Sequence, residues 1–356
     1  MAYNSFIPVN VVTGFLGSGK TTLLQQLLHS PLLDDTAVLV NEFGEVGLDH
    51  HLLETATEST LLMDNGCICC AIRGDLKDSL RDLFDRRERG EIPAFKRVII
   101  ETSGLADPVP IAYTVLAEPV LQHHFRLGNV ITTVDAVNGL KQLAEFEEPV
   151  KQVAVADRLI ITKTDIADPG DTAALRLALQ RLNISAPLFD AAVDDLGPRR
   201  LITEDIHDPK GKRQEINHLM STATTASHAG HDHDNAGDHL HTSGVTSFAL
   251  TFDAPLDWTA YGIWMTMLLN HYGDKVLRIK GMLNVLGVAT PVLINGVQHV
   301  VHPPVHLESW PDADQRSRLV FIVRGMDQAR IEASLAAFNG LANTSPVNAG
   351  LGRISA

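Results

Sequence analysis

The chain has 356 residues, 45% apolar and 20% charged, with a formal net charge of −14. That length suits about two domains, and the composition excludes a disordered or fibrous chain. The acidic balance argues against nucleic acid and against an anionic membrane surface as partners, since both call for a basic face.

In chain order, Pro8 to Thr13 is an apolar, β-branched run that predicts a strand, and Gly14 to Gly19 is a glycine-rich loop. Lys20 to Ser30 then reads as a helix, with Leu23, Leu24, Leu27 and Leu28 on one face. Strands are predicted at Ala37–Val40, Arg97–Ile100, Asn129–Val134 and Arg158–Ile161, with helices at Asp75–Arg86, Ile111–Leu116 and Asp171–Leu182. Nearly continuous apolar strands alternating with helices predict a doubly wound, mostly parallel sheet covered on both faces, an α/β domain over residues 1–195. Residues 196–245 lose apolar periodicity and predict a histidine-bearing linker. Order resumes with strands at Thr246–Phe252, Lys275–Leu283, Thr290–Val297 and Arg318–Val323 and helices at Asp257–Asn270 and Asp327–Phe338. These give a smaller α+β domain over 246–340, with 341–356 as a tail. No run approaches the ~20 apolar residues of a membrane span, and the first residues lack the features of a signal peptide; a cytoplasmic protein is expected.

Gly14-Phe15-Leu16-Gly17-Ser18-Gly19-Lys20-Thr21 matches G-x-x-x-x-G-K-[ST] between a predicted strand and a predicted helix, the context that a phosphate loop requires. Glycines Gly14, Gly17 and Gly19 let backbone N–H groups, that of Ser18 included, close around phosphate oxygens. The helix that follows, beginning with Lys20, Thr21 and Thr22, adds the positive end of its dipole. Lys20 supplies a point charge for the terminal phosphates, and the Thr21 hydroxyl suits Mg²⁺. The chain is therefore expected to be a P-loop NTPase.

Thr162-Lys163-Thr164-Asp165 ends a predicted strand. Asp165 can accept from the guanine N1–H and amino group, and the Lys163 stem can cover the base, which points to GTP over ATP. Thr162 stands where most GTPases carry asparagine. Glu101-Thr102-Ser103-Gly104 follows another strand, where a carboxylate can orient Mg²⁺ and a glycine N–H can sense the γ-phosphate. Lys20, Glu101 and Gly104 are the catalytic candidates. Glu42, in the acidic segment after Ala37–Val40, is a candidate ligand for Mg²⁺ or a second metal.

Only three cysteines occur, Cys67, Cys69 and Cys70, on what reads as a glycine-led loop after the short run Leu61–Met63. Three clustered thiols form no disulfide framework, while thiolates favour Zn²⁺ and similar ions. In extended backbone Cys67 and Cys69 point one way and Cys70 the other, so closing all three on one ion needs a turn. Of sixteen histidines, His228, His231, His233, His239 and His241 lie in one Asp- and Gly-rich stretch, an auxiliary metal-gathering candidate that also suits Co²⁺ or Ni²⁺. His302 and His306 read as surface residues.

The set Gly14–Thr21, Asn41–Glu45, Asn65–Cys70, Glu101–Pro108 and Thr162–Asp165, in that order, resembles the CobW/YjiA-like metallochaperone GTPases, relatives of the urease and hydrogenase nickel-insertion GTPases. Asp274–Leu283, Gly296–Gln298 and Arg316–Ile322 look like that family's C-terminal domain. The resemblance implies a slow, metal-responsive GTPase that carries a transition metal, commonly zinc, to an apo-metalloprotein client. It implies that Cys67, Cys69 and Cys70 hold the metal, and it leaves a homodimer open. Some members serve cobalamin synthesis or nitrile hydratase activation instead. Two other readings stand beside it: a metal store or sensor with incidental GTP hydrolysis, and a small-molecule kinase with redox cysteines.

Overall fold

A computed structural model describes residues 6–41, 60–62, 68–71, 75–205, 216–218 and 244–344. The chain divides into two compact units, Met1–Glu215 and Ile216–Ala356.

The first unit runs β1 (Ile7–Gly14), α1 (Lys20–Leu28), β2 (Thr36–Asn41), β3 (Thr60–Leu62), β4 (Ile68–Ala71), α2 (Leu76–Glu88), β5 (Arg97–Thr102), α3 (Val109–Ala117), β6 (Phe125–Asp135), α4 (Gly139–Glu145), α5 (Glu147–Ala154), β7 (Arg158–Thr162), α6 (Pro169–Leu182) and β8 (Leu188–Asp190). Its sheet has the order β3-β4-β2-β5-β1-β6-β7-β8. Only the β3–β4 pair is antiparallel; the other neighbours are parallel. β1 lies between β5 and β6, and almost every residue along it is buried, as a strand with both faces covered must be. The helices begin where the sequence offers caps. Asp75 accepts from Lys77 N–H at the start of α2, and Asp168 accepts from Gly170 and Asp171 N–H ahead of Pro169 in α6. Leu23, Leu24, Leu27 and Leu28 of α1 pack on Val12, Val38, Ile99, Ile131 and Ile160 of the sheet. The parallel, doubly wound architecture is the expected one.

Two expectations change. The cysteine segment was expected as a loop, but Ile68–Ala71 is a strand, paired with β2 and β3. The first domain was expected to end near residue 195, yet Arg199–Thr203 forms a π-helical turn whose Leu201 and Ile202 join the α1 core. Beyond it Asp205 pairs with the Arg126 guanidinium in a buried ion pair, and Asn129 Nδ2 donates to Leu201 O at 2.9 Å. Apolar anchoring and a buried charge pair thus hold these residues to the sheet.

The second unit runs β9 (Val245–Phe252), α7 (Trp258–Tyr272), β10 (Val276–Leu283), β11 (Val292–Val297), β12 (Val300–Val301), β13 (Val305–His306), β14 (Ser317–Arg324) and α8 (Gln328–Thr344). Its antiparallel sheet has the order β12-β11-β10-β14-β9, with β13 on β11. Trp264 and Leu268 of α7 and Ile331 and Leu335 of α8 share a core with Phe248, Ile279 and Phe321 of the sheet, and Trp264 Nε1 donates to Ser334 Oγ at 2.9 Å between the helices. His302 is buried, not a surface residue; its backbone N–H donates to Asn295 O. Among the described residues no helix is long and apolar enough to cross a membrane.

Candidate functional site

The phosphate-loop residues, Glu101–Gly104 and Thr162–Asp165 lie at the carboxyl ends of β1, β5 and β7 or in the segments that follow them. That is the edge where open parallel sheets bind ligands. β1 ends at Gly14, whose φ of 140° and crowding admit no side chain: a Cβ there would stand 2.4 Å from Thr133 O and 2.6 Å from Ser18 Oγ. The loop then turns through Gly17 and Gly19, at φ 72° and 88°. Gly19 caps α1 in the left-handed conformation, so the loop's N–H groups and the helix dipole converge on one place.

The loop is braced from below. Buried Ser18 shares a hydroxyl–hydroxyl hydrogen bond with Thr133 of β6 at 2.7 Å. Thr162 Oγ1 donates to Ser18 O at 2.9 Å and contacts Val134 O at 3.3 Å. The threonine that opens the base motif thereby braces the phosphate loop, through bonds that span the fold. Sequence spacing carries no signal of such a role.

The Lys20 ammonium folds back over the loop, donating to Gly14 O at 3.0 Å and Phe15 O at 3.1 Å. Thr21 Oγ1 donates to Glu101 Oε1 at 2.5 Å across 80 residues of sequence. A hydroxyl and a buried carboxylate held together are hard oxygen donors, which fit Mg²⁺. Gly104 packs directly on the phosphate loop, where a Cβ would stand 2.7 Å from Leu16 N and 2.8 Å from Leu16 Cα. The structure thus brings Lys20, Thr21, Glu101 and Gly104 together, while Thr22 is exposed on the first turn of α1.

At the far side of the loop Lys163 takes a φ of 59°, a strained conformation for a side-chain-bearing residue. Its Nζ donates to Asp135 Oδ2 at 2.8 Å. Burial pushes the Asp135 carboxyl upward, but hydrogen bonds from Lys163, Asn138 and the Val137 N–H outweigh it and hold the group below the ordinary aspartate range. Asp135 was not foreseen; only its place at the end of a strand beside the base motif could have marked it. Asp165 is exposed and borders a groove of about 720 Å³ lined by Thr164, Arg176, Leu177, Ala192 and Val193.

Backbone register places Cys69 opposite Val38 and Cys70 opposite Leu39 on β2. The other edge of β2 pairs Val40 with Glu101 on β5. The backbone from Ile68 to Ala71 is extended. Glu42, Cys67, His228, His231, His233, His239 and His241 lie outside the described residues. Among the described residues no group of three or more His, Cys, Asp or Glu is placed to hold a metal.

A parallel sheet that ends in a braced cradle of N–H groups, with a lysine above it and a hydroxyl–carboxylate pair beside it, is built to receive a nucleoside triphosphate. That makes the first unit a phosphate-loop nucleoside triphosphatase. Residues 8–190 match the CobW/HypB/UreG nucleotide-binding domain and residues 245–339 the cobalamin synthesis protein cobW C-terminal domain, and the chain belongs to that family of GTPases. It is 35% identical over 330 residues to the zinc chaperone YjiA of Escherichia coli strain K12, covering 93% of this chain and 98% of that one. It is 27% identical over 362 residues to the zinc chaperone CobW of Sinorhizobium sp, covering 93% and 97%. The crystal structure of Zn(II)-bound YjiA GTPase from E. coli superposes with a TM-score of 0.70 at 32% identity, covering 94% of this chain and 99% of that one.

Proposed function

We propose that this chain is a GTP-hydrolysing metallochaperone that binds zinc at the Cys67-x-Cys69-Cys70 motif and hands it to an apo-metalloprotein client under nucleotide control. The observation that carries this reading is the strand register. β4, with Cys69 and Cys70, and β5, with Glu101, pair with opposite edges of the single strand β2. A change at the γ-phosphate therefore has one intervening strand to cross before it reaches the cysteines. The zinc chaperones among the relatives support zinc as the cargo.

In this reading the N–H groups of residues 14–21 and the α1 N-terminus take the β- and γ-phosphates. Lys20, now donating to two loop carbonyls, exchanges these for phosphate oxygens. Thr21 and Glu101 would hold Mg²⁺, which when bound neutralises charge on the phosphates. Asp165 reads the guanine edge, Lys163 covers the base, and Thr162 serves the base only through the loop it braces. Gly104 presents its N–H to the γ-phosphate from a position already against Leu16. Hydrolysis removes that contact, and the change reaches β2 through β5. The thiols need a turned backbone to close on one ion, so capture and release of zinc accompany rearrangement around residues 67–70.

The test is zinc competition against a chromophoric chelator with a slowly hydrolysed GTP analogue present. Cys67→Ala with Cys69→Ala is expected to abolish tight zinc binding and leave GDP affinity unchanged. Undiminished zinc affinity in that double variant overturns the assignment of the site.

A further inference from the structure

Helix α5 carries no nucleotide motif, yet it meets the site at three points. At its N-cap the Phe146 ring lies 5.0 Å from the Phe15 ring of the phosphate loop, centroid to centroid. Lys151 Nζ stands 3.7 Å from Asp107 Oδ2, and Asp107 Oδ1 accepts from Val109 N–H at the start of α3. Next to Lys151, Gln152 is fully buried, and its Nε2 donates to Gly104 O and to Ala106 O, both at 3.0 Å. Its own backbone carbonyl accepts from Thr132 Oγ1 of β6 at 2.9 Å, so the helix that holds the loop is itself fixed to the sheet.

One acceptor belongs to Gly104, the residue that packs on the phosphate loop, and the other to Ala106 two residues on. Gly104 sits so close to Leu16 that even a methyl group is excluded; a small drift either opens this contact or makes it clash. A side chain that only filled space here would be apolar. Gln152 instead uses both amide hydrogens and leaves Oε1 buried without a hydrogen-bond partner among the described residues, an arrangement that carries a desolvation cost. The amide is present for its two donors.

From this geometry we infer that Gln152 is a positioning residue for GTP hydrolysis: it fixes the Gly104 loop against the phosphate loop, so that the γ-phosphate finds its N–H contact in place. It acts through Gly104, whose carbonyl it holds. The inference rests on the GTPase reading above. GDP is held by the phosphate loop, Lys20 and the base motif, while the Gln152 amide donates to Gly104 O and Ala106 O outside them. The residue therefore governs the difference between GTP and GDP rather than nucleotide affinity as a whole.

The experiment uses the full chain with Mg²⁺ and fluorescence titration of GDP and of a slowly hydrolysed GTP analogue, together with kcat and KM for GTP. Gln152→Met keeps length and bulk and removes both donors. Its analogue-to-GDP affinity ratio is expected to fall about tenfold, with kcat reduced and GDP affinity within about twofold of the parent. Lys151→Met, at a half-buried position, removes only the ion pair with Asp107 and is expected to move the ratio the same way by about twofold to threefold. An unchanged ratio in both variants, or an equal loss of GDP and analogue affinity with a fall in melting temperature, overturns the role of Gln152. Lys20→Ala separates this from the underlying reading: if it binds nucleotide as tightly as the parent chain, or the parent hydrolyses no GTP, the GTPase reading itself falls.

Discussion

Replacing Thr162 by valine removes one hydroxyl and keeps the shape of the side chain. That hydroxyl donates to Ser18 O at 2.9 Å and lies 3.3 Å from Val134 O, and the residue is 8% exposed, so water has little access to replace it. A buried carbonyl that loses its donor costs about 1–2 kcal/mol. For a unit of this size that lowers the melting temperature by roughly 2–8 °C. Because Ser18 belongs to the phosphate loop, part of the cost appears in binding, and GDP affinity is expected to fall about fivefold. The assay is differential scanning calorimetry with fluorescence titration of GDP, run beside Thr162→Ser, which keeps the hydroxyl and loses a methyl group. The serine variant is expected to bind GDP within about twofold of the parent. If valine leaves both melting temperature and affinity unchanged, or if serine is as damaging as valine, the bracing role of the hydroxyl is refuted.

Gly104→Ala places a methyl group 2.7 Å from Leu16 N, and one of the two loops must move; GTP turnover is expected to fall at least about tenfold with a stability loss of about 1–3 kcal/mol, and steady-state kinetics with thermal unfolding check both. Asp135 titrates below the ordinary aspartate value of 3.8 in the folded chain. Its pairing with Lys163 therefore contributes stability above the unfolded value, and that contribution is lost as pH falls through the lower folded value. The stability gap between the parent and Asp135→Asn is expected to be constant from about pH 5 to 8 and to narrow below about pH 4, measured by denaturant unfolding at each pH.

The features legible in the sequence are those whose cause is local. The phosphate loop is eight consecutive residues, its glycines fixed by turn and close approach, and the strands around it declare themselves by unbroken apolar runs. The helix at residues 75–86 shows its cap and its apolar spacing in one stretch. What the sequence hides is set by sheet order. Thr162 braces a loop 144 residues away, and Gln152 reaches carbonyls 48 and 46 residues away; no spacing rule connects such partners. β4 escaped because Ile68-Cys-Cys-Ala71 is four residues long and shows no alternation, so its strand character comes from pairing with β2 and β3. The turn Arg199–Thr203 escaped because two arginines mask Leu201 and Ile202, which anchor it to the core.

The proposed nucleotide control of zinc binding is tested most directly by zinc affinity of the same chain in three states: nucleotide-free, GDP-bound, and bound to a slowly hydrolysed GTP analogue with Mg²⁺. Coupling through β2 between the γ-phosphate loop and the cysteine strand predicts affinities for the GDP and analogue states that differ by about tenfold or more, an ordinary size for coupling between two sites. Equal zinc affinity in all three states contradicts it.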